Sequence, residues 1–494
     1  MLPFFALCTC LYLVNIADTS TLTAPPQSAL VVAFEDIYDL SLLANTLSDQ
    51  GIDATLIIPA SHENELYETL IDVEVLRLNI EADESITSDK RAVRACEALL
   101  KDEGIAGKIK EIQPTFTIFP ALRHDGCLLP WTKNIESIPV IWTRNREEEQ
   151  YVFEYTGAAW PVYSAGFWSR LWMSFSRRSI FSTTRDEYVA YALRIAGKYL
   201  PDTGLNLDNL YTDVRLILWG SDVVLRSDFV PLTQLIVEVG CHHCRGAHPL
   251  QGDLHKILLE YRLGTIVAFL DESYTTLIKE LAEKLPQGRE GQAVVWKNMN
   301  WQSSGSAMPD NLFIRSAIDR QDLIGYSRTR VMLSHCTDSE LLEAAFHGTP
   351  VICFPRNPLE SQNAARAVQL GFARSAEDIR ALNSEEIANA VIHIHETMDY
   401  RENGRKVSVA IRDRLNPAVD RLIYWLRYMA RTRDWDIDFL AADSSARTFN
   451  EDLQFFIGLF VGSILGIFVT VGCMLARYLI MSKRRQRSKG RYTR

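Results

Sequence analysis

The chain of 494 residues is poor in cysteine, with nine, and in histidine, with ten, and it carries no Asn-x-Ser/Thr sequon. So few cysteines over such a length exclude a small scaffold stapled by disulfides. Glycine (25) and proline (18) are too scarce for a collagen-like or low-complexity chain, and a hydrophobic fraction of 47% excludes wholesale disorder. Only one long uncharged apolar run is present, which excludes a polytopic membrane protein. Basic residues are outnumbered, 52 against 62 acids, for a net charge of −10. Many of them crowd into 477–494, a stretch without a single acid. An acidic body with a basic tail is the wrong distribution for a nucleic-acid binder, so nucleic acid is not an expected partner.

The two ends are informative. Residues 2–16 are apolar and lead to Ala17-Asp18-Thr19-Ser20, which predicts a secretory signal peptide over 1–17, with a buried first strand as the alternative. Residues 455–476 are uncharged and rich in Gly, Val, Ile and Phe, long enough for one transmembrane helix, and the basic tail 477–494 belongs on the cytosolic side. The expected topology is single-pass type I in the endoplasmic reticulum or another secretory membrane, body in the lumen. The tail reads as a retention signal, an anionic-lipid contact or a plain stop-transfer anchor. Six cysteines then face the lumen: Cys96, Cys127, Cys241, Cys244, Cys336 and Cys353. Cys241-His242-His243-Cys244, with His248 nearby, is open to three readings: a zinc site, a local disulfide, or an ordinary loop.

The body alternates short continuous apolar runs with helical spacing. ALVVAF from residue 29, ATLIIPA, FTIFPA, IPVIW, RLILWG and QLIVEVG form one series, and TIVAFL, AVVWKN, FIRSA, VMLS and VICFP a second. Such runs predict parallel strands covered by helices on both faces. The expectation is two doubly wound Rossmann-like domains, 25–240 and 245–445, facing a cleft at the carboxyl ends of their strands. The aromatic and basic stretch 160–181 suits either a membrane surface or a helical hairpin over the cleft.

The most informative segment runs from Ser334 to Asn363, SHCTDSELLEAAFHGTPVICFPRNPLESQN. After the strand VMLS, Asp338 or Ser339 is placed to cap a helix that runs to about His347, where Gly348 supplies the left-handed stop and Pro350 bars continuation. A strand, a tight turn and a helix N-terminus together offer free backbone N–H groups suited to a phosphate.

This segment resembles the membrane-bound UDP-glycosyltransferases, including the UDP-glucuronosyltransferases, as a divergent member. Their signature is strand-T-H-G-G-x-x-S/N-x-x-x-E-A-x-x-x-G-V/I-P, then P-x-x-x-D-Q-x-x-N. Here it reads Ser334-His335-Cys336-Thr337, Ser339, Glu343-Ala344, His347-Gly348-Thr349-Pro350, Pro355 and Asn363. The likeness extends over nearly the whole chain. It implies a GT-B fold with an acceptor-side first domain and a UDP-sugar-side second one. The implied reaction is inverting transfer of a sugar, such as glucuronic acid or glucose, from a UDP-sugar to a hydroxyl of a small lipophilic acceptor. The UDP-sugar is a co-substrate and no cofactor is implied; homo- or hetero-oligomers with related transferases are implied partners. Carried over, Ser334, His335 and Ser339 approach the donor phosphates, Glu343 receives the ribose hydroxyls with Asn363 completing that wall, and Glu360 falls where the sugar hydroxyls are held.

Several positions depart from that pattern. Cys336-Thr337 replaces the Gly-Gly, Ala317 the tryptophan that stacks uracil, Arg320 the glutamine that reads its edge, and Leu359-Glu360 the Asp-Gln pair. Asp271 and Glu272 stand near the diphosphate and would repel it. The catalytic histidine falls at Asp36, an exposed-type carboxylate and a poor base for an alcohol, and its orienting aspartate at Arg123, with His124 and Asp125 beside it. Three readings follow: a transferase with unusual catalysis, a family member without turnover that serves as a binding or regulatory partner, and a receptor-like protein on an unrelated scaffold.

Overall fold

In a computed structural model, residues 27–494 are described except 68–69, 81–87, 122–123, 145–188, 202, 207–208, 227–233, 251, 299–307, 317, 378–382, 436–439, 441–443 and 490–494. The signal peptide, the 160–181 stretch, Arg123 and Ala317 therefore lie outside the described residues.

The apolar runs form two all-parallel sheets. The first has seven strands in the order β3-β2-β1-β4-β5-β6-β7, with β1 Ser28–Val32, β2 Asp53–Pro59, β3 Glu74–Leu78, β4 Phe116–Pro120, β5 Ile138–Thr143, β6 Leu216–Trp219 and β7 Ile236–Glu238. The second has six in the order β10-β9-β8-β11-β12-β13, with β8 Gly264–Phe269, β9 Gln292–Lys297, β10 Leu312–Arg315, β11 Thr329–Ser334, β12 Val351–Cys353 and β13 Ala373–Ser375. Central strands such as β1 and β4 are buried on both faces, which is why they read as unbroken Val, Ile, Leu and Phe. Two edge strands, β3 and β13, did not stand out in the sequence: EVLRL is mixed and half exposed, and ARS is three residues long.

Each strand order reverses at its centre, between β1 and β4 and between β8 and β11. At these points the connections leave in opposite directions and open a crevice at the carboxyl ends, where this architecture binds ligands. Residues following β1, β4, β8 and β11 therefore frame the site. Helix Ile37–Asp49 starts immediately after the β1 loop and buries Leu40, Leu43, Ala44 and Leu47 at helical spacing against the first core. Helix Ala418–Arg431 lies within 245–445 by sequence, yet its apolar face (Leu422, Ile423, Leu426, Met429) packs on that same first core, so the chain returns to the first sheet before leaving it.

Beyond the body, a helix spans Ser444–Lys489, and its apolar part, Ile457–Arg484, is long and apolar enough to cross a membrane. It is exposed throughout the described residues, as a segment built for hydrocarbon would be.

The six cysteines outside the two ends form three disulfides, Cys96–Cys127, Cys241–Cys244 and Cys336–Cys353. This decides the CHHC segment in favour of a local disulfide, because oxidised cysteines have no thiolate to give a metal.

The helix that carries the signature, Asp338–His347, is held by close backbone contact. Gly348 ends it at φ 71°, and a Cβ placed on Gly404 of helix Met398–Arg412 would stand 2.6 Å from the Gly348 carbonyl oxygen. Gly404→Ala forces these two helices apart and is expected to destabilise the fold by about 1–3 kcal/mol; chemical denaturation followed by circular dichroism checks it, with an unchanged midpoint contradicting the packing argument.

Candidate functional site

The loop after β11 is built by its own side chains. Thr337 caps the following helix in a reciprocal box with Glu340, and Ser334 Oγ both donates to Glu340 and accepts from the Cys336 N–H. The cap is thus Thr337, not Asp338 or Ser339; the spacing Thr-x-x-Glu was the signal for it. Cys336 stands where the family has glycine and takes a left-handed φ of 61°, a conformation a side chain seldom adopts, while its sulfur is bonded to Cys353 at the end of β12. The backbone path that a glycine would give is therefore present, and a disulfide fills the space beside it.

His335 is buried. Its Nδ1 donates to the Phe354 carbonyl at 2.9 Å, which leaves Nε2 facing the Asp271 carboxylate at 3.4 Å. Asp271 also caps its own turn through the Ser273 N–H and lies 3.8 Å from Arg356. Burial alone would raise its carboxyl, but the Ser273 hydrogen bonds, His335 and Arg356 bring it below the usual range. The acid expected to repel a diphosphate thus lies beside the histidine expected to approach one.

Glu343 is 1% exposed and already partnered. Arg320 grips both its oxygens, Nε to Oε2 at 2.5 Å and Nη2 to Oε1 at 2.7 Å, and His243 Nε2 lies 3.3 Å from Oε1. Desolvation would push this carboxyl up, yet the Arg320 charge and hydrogen bonds, with His243, outweigh it and hold it at about 2. The Arg320 guanidinium also lies over the Tyr38 ring, 5.0 Å from its centroid, across the boundary between the sheets. Asp319, which caps the short helix Arg320–Ile324, accepts from Tyr67 of the first domain at 3.0 Å and lies 3.2 Å from Arg245.

The other carboxylates are likewise occupied. Asp36, left-handed at φ 55° in front of helix Ile37–Asp49, is paired with Arg144 at 2.5 Å, and Arg144 also holds Asp39. Glu360 accepts from Arg356 Nη2 at 2.9 Å and from the Arg356 N–H at 2.7 Å. Asn363 donates to the Cys336 carbonyl and to Asp338, so it braces the loop from behind. Ser339 is 3% exposed within the helix. His124 and Asp125 follow β4 and are buried, with Asp125 accepting from Tyr211 at 2.6 Å.

What remains open is a cleft of about 600 Å³. Tyr38 from the first domain and Leu270, Lys297, Asn298, Arg320 and His335 from the second are among its lining residues. Trp296 Nε1 donates to the Leu270 carbonyl at 2.8 Å and fixes that wall. Among the described residues, no group of three His, Cys, Asp or Glu side chains is arranged to hold a metal. Glu343, Arg320 and His243 each stand out in the sequence, but not as partners, and Arg144, Arg356 and Tyr38 do not stand out at all, because a pairing over many residues leaves no local pattern.

Two parallel sheets that meet at their switch points make this a GT-B glycosyltransferase fold, and solved structures agree. The calicheamicin glycosyltransferase CalG4 matches with a TM-score of 0.54 at 17% identity, over 83% of this chain and 98% of its own. A UDP-glucosyltransferase from Polygonum tinctorium matches with a TM-score of 0.55 at 13% identity, over 83% and 100%. The family model described as "UDP-glucoronosyl and UDP-glucosyl transferase" matches residues 89–445, and the chain belongs to that family. Relatives include UDP-glucuronosyltransferase 2C1 of Oryctolagus cuniculus, 25% identical over 39% of this chain and 38% of the relative. UDP-glucosyltransferase 2 of Dactylopius coccus is 27% identical over 41% and 39%. The chain thus spans about two fifths of the length of the curated relatives it matches.

A carboxyl that falls from 4.5 to about 2 on folding contributes stability that is complete above pH 4.5 and lost as the pH drops towards 2. The stability gap between wild type and Glu343→Gln is therefore expected to be on the order of 3 kcal/mol at pH 7. It should shrink over that acidic window, as denaturant titrations at stepped pH will read; a gap independent of pH would contradict it. Arg320→Ala, which leaves Glu343 buried and alone, is expected to cost about 3–5 kcal/mol in the same measurement.

Proposed function

We propose that this protein is a single-pass membrane member of the UDP-glycosyltransferase family that has given up sugar transfer and acts in the secretory lumen as a binding or regulatory partner, in homo- or hetero-oligomers with related transferases. The observation that carries the reading is the Arg320–Glu343 pair. In the family resemblance, Glu343 is the acceptor for the ribose diol and Arg320 stands where the uracil edge is read. A UDP-sugar could use that carboxylate only by displacing a buried guanidinium, and breaking such a pair costs about 3–5 kcal/mol before any new contact forms. The resemblance also puts Asp36 at the place of the general base. Its carboxylate oxygens are engaged by the Arg144 guanidinium rather than free to meet an acceptor hydroxyl. Ser334 and Asn363 are committed to the loop itself. The apolar helix 457–484 and the basic residues beyond it support a luminal body with a cytosolic tail.

One observation favours a second reading, a transferase with a displaced donor. The cleft of about 600 Å³ retains His335, Lys297 and Asn298 and is large enough for a small ligand. The full chain in lipid nanodiscs, given UDP-glucose or UDP-glucuronic acid and a panel of lipophilic phenols, separates the two. No acceptor-dependent release of UDP is expected. Release that disappears in Asp36→Ala or His335→Ala would overturn the proposal in favour of turnover. In sealed microsomes, protease is expected to remove the tail and spare the body.

A further inference from the structure

Of the three disulfides, two are buried: Cys96, Cys127, Cys336 and Cys353 are each at most 1% exposed. Cys241–Cys244 differs. Both residues are only half-buried, and the bond closes a single turn, with the Cys244 N–H donating to the Cys241 carbonyl, just after β7 where the chain passes from the first sheet to the second. The glutathione- or dithiol-labile disulfides of proteins are the exposed ones, and a loop this short gains little from its cross-link.

The turn also does mechanical service. His243 extends from it to within 3.3 Å of Glu343, and the His243 carbonyl accepts from Gln321 Nε2 at 3.0 Å. The next residue but one, Arg245, donates its N–H to Gln321 Oε1 at 2.9 Å and its guanidinium to Asp322 at 2.6 Å. Gln321 and Asp322 follow Arg320 in its helix, and Arg245 also lies 3.2 Å from Asp319 before it, so one turn grips both sides of the residue that pairs with Glu343.

We propose that Cys241–Cys244 is a thiol–disulfide exchange site whose substrate is a dithiol reductant, and that its reduction releases Arg320 from Glu343. The attacking thiolate forms a mixed disulfide with one of the two sulfurs and expels the other as a thiolate, which takes a proton. The second thiol of the reductant then closes on the first. The sum is one protein disulfide and one dithiol converted to two protein thiols and an oxidised dithiol, a transfer of two electrons and two protons. With the turn no longer closed, His243, Arg245 and Gln321 lose their fixed spacing, and the helix Arg320–Ile324 loses its brace. The consequence for the cleft rests on the reading given under Proposed function; the order of reduction does not.

Graded dithiothreitol on the full chain in nanodiscs, with alkylation and peptide mass spectrometry, reads which pair opens first. Hydrogen exchange at 319–325 and 341–345 reads the release. Cys241–Cys244 is expected to open at about a tenfold lower reductant concentration than either buried pair, with faster exchange in both segments. Cys241→Ser/Cys244→Ser, checked for its two remaining disulfides, should show the same fast exchange without reductant. Simultaneous opening of all three pairs would overturn the site, and unchanged exchange after selective opening would overturn the coupling to Arg320. Binding of UDP to the oxidised chain would instead defeat the closed-cleft reading and leave the order of reduction standing.

Discussion

A carboxylate removed from water must find a positive partner, and Glu343 satisfies that demand from within the protein. This constraint organises the rest of the cleft. Arg320 can reach Glu343 only because the short helix Arg320–Ile324 is set down beside helix Asp338–His347. That placement depends on Asp319 meeting Tyr67 and on Tyr38 accepting the guanidinium face, both from the first domain. Arg320 is therefore held from both domains, through Tyr38 on its own face and Tyr67 on the neighbouring Asp319, as well as by Glu343. Contacts of this kind hold the crevice in one arrangement without a ligand, whereas a binding site normally leaves that work to the ligand.

The same solution recurs at the other carboxylates of the cleft. Arg144 answers Asp36, Arg356 answers Glu360, and His335 with Arg356 answers Asp271. The acids at 36, 271, 343 and 360 would each be half-satisfied alone, and each meets a cation from within the chain. That is the economy of a structural interior. The fold around it has parallel strands buried on both faces and Gly348 set against Gly404. A GT-B scaffold whose cleft carboxylates are held by its own cations still presents its outer surfaces, its candidate membrane helix and its disulfides, and the function proposed for it resides in these.

Much of the fold was legible in the sequence because parallel strands write themselves as continuous apolar runs, and the left-handed stop at Gly348 was legible because glycine before proline has few other uses. The edge strands β3 and β13 were not, since an edge need only be half apolar. The signature residues were legible as identities: His335 lies in the loop after β11 and Glu343 in the helix that follows it, while Asn363, from a later helix, braces the loop. Their partners were not legible. Arg320 could be seen to replace a glutamine, but that it turns onto Glu343 depends on how two helices pack. The pairing of Cys241 with Cys244 was one of three readings, and spacing alone could not choose among them.

In the function proposed here, Arg320 occupies the place a nucleoside would take. The most direct test is the melting temperature of the full chain and of Arg320→Gln, with and without millimolar UDP. A ligand at a hundredfold its dissociation constant adds about 2.7 kcal/mol to the folded state. UDP is expected to leave the wild-type transition where it is and to raise that of Arg320→Gln; a wild-type transition raised as far as that of the variant, with Arg320 in place, would show that the nucleoside does not compete with Arg320.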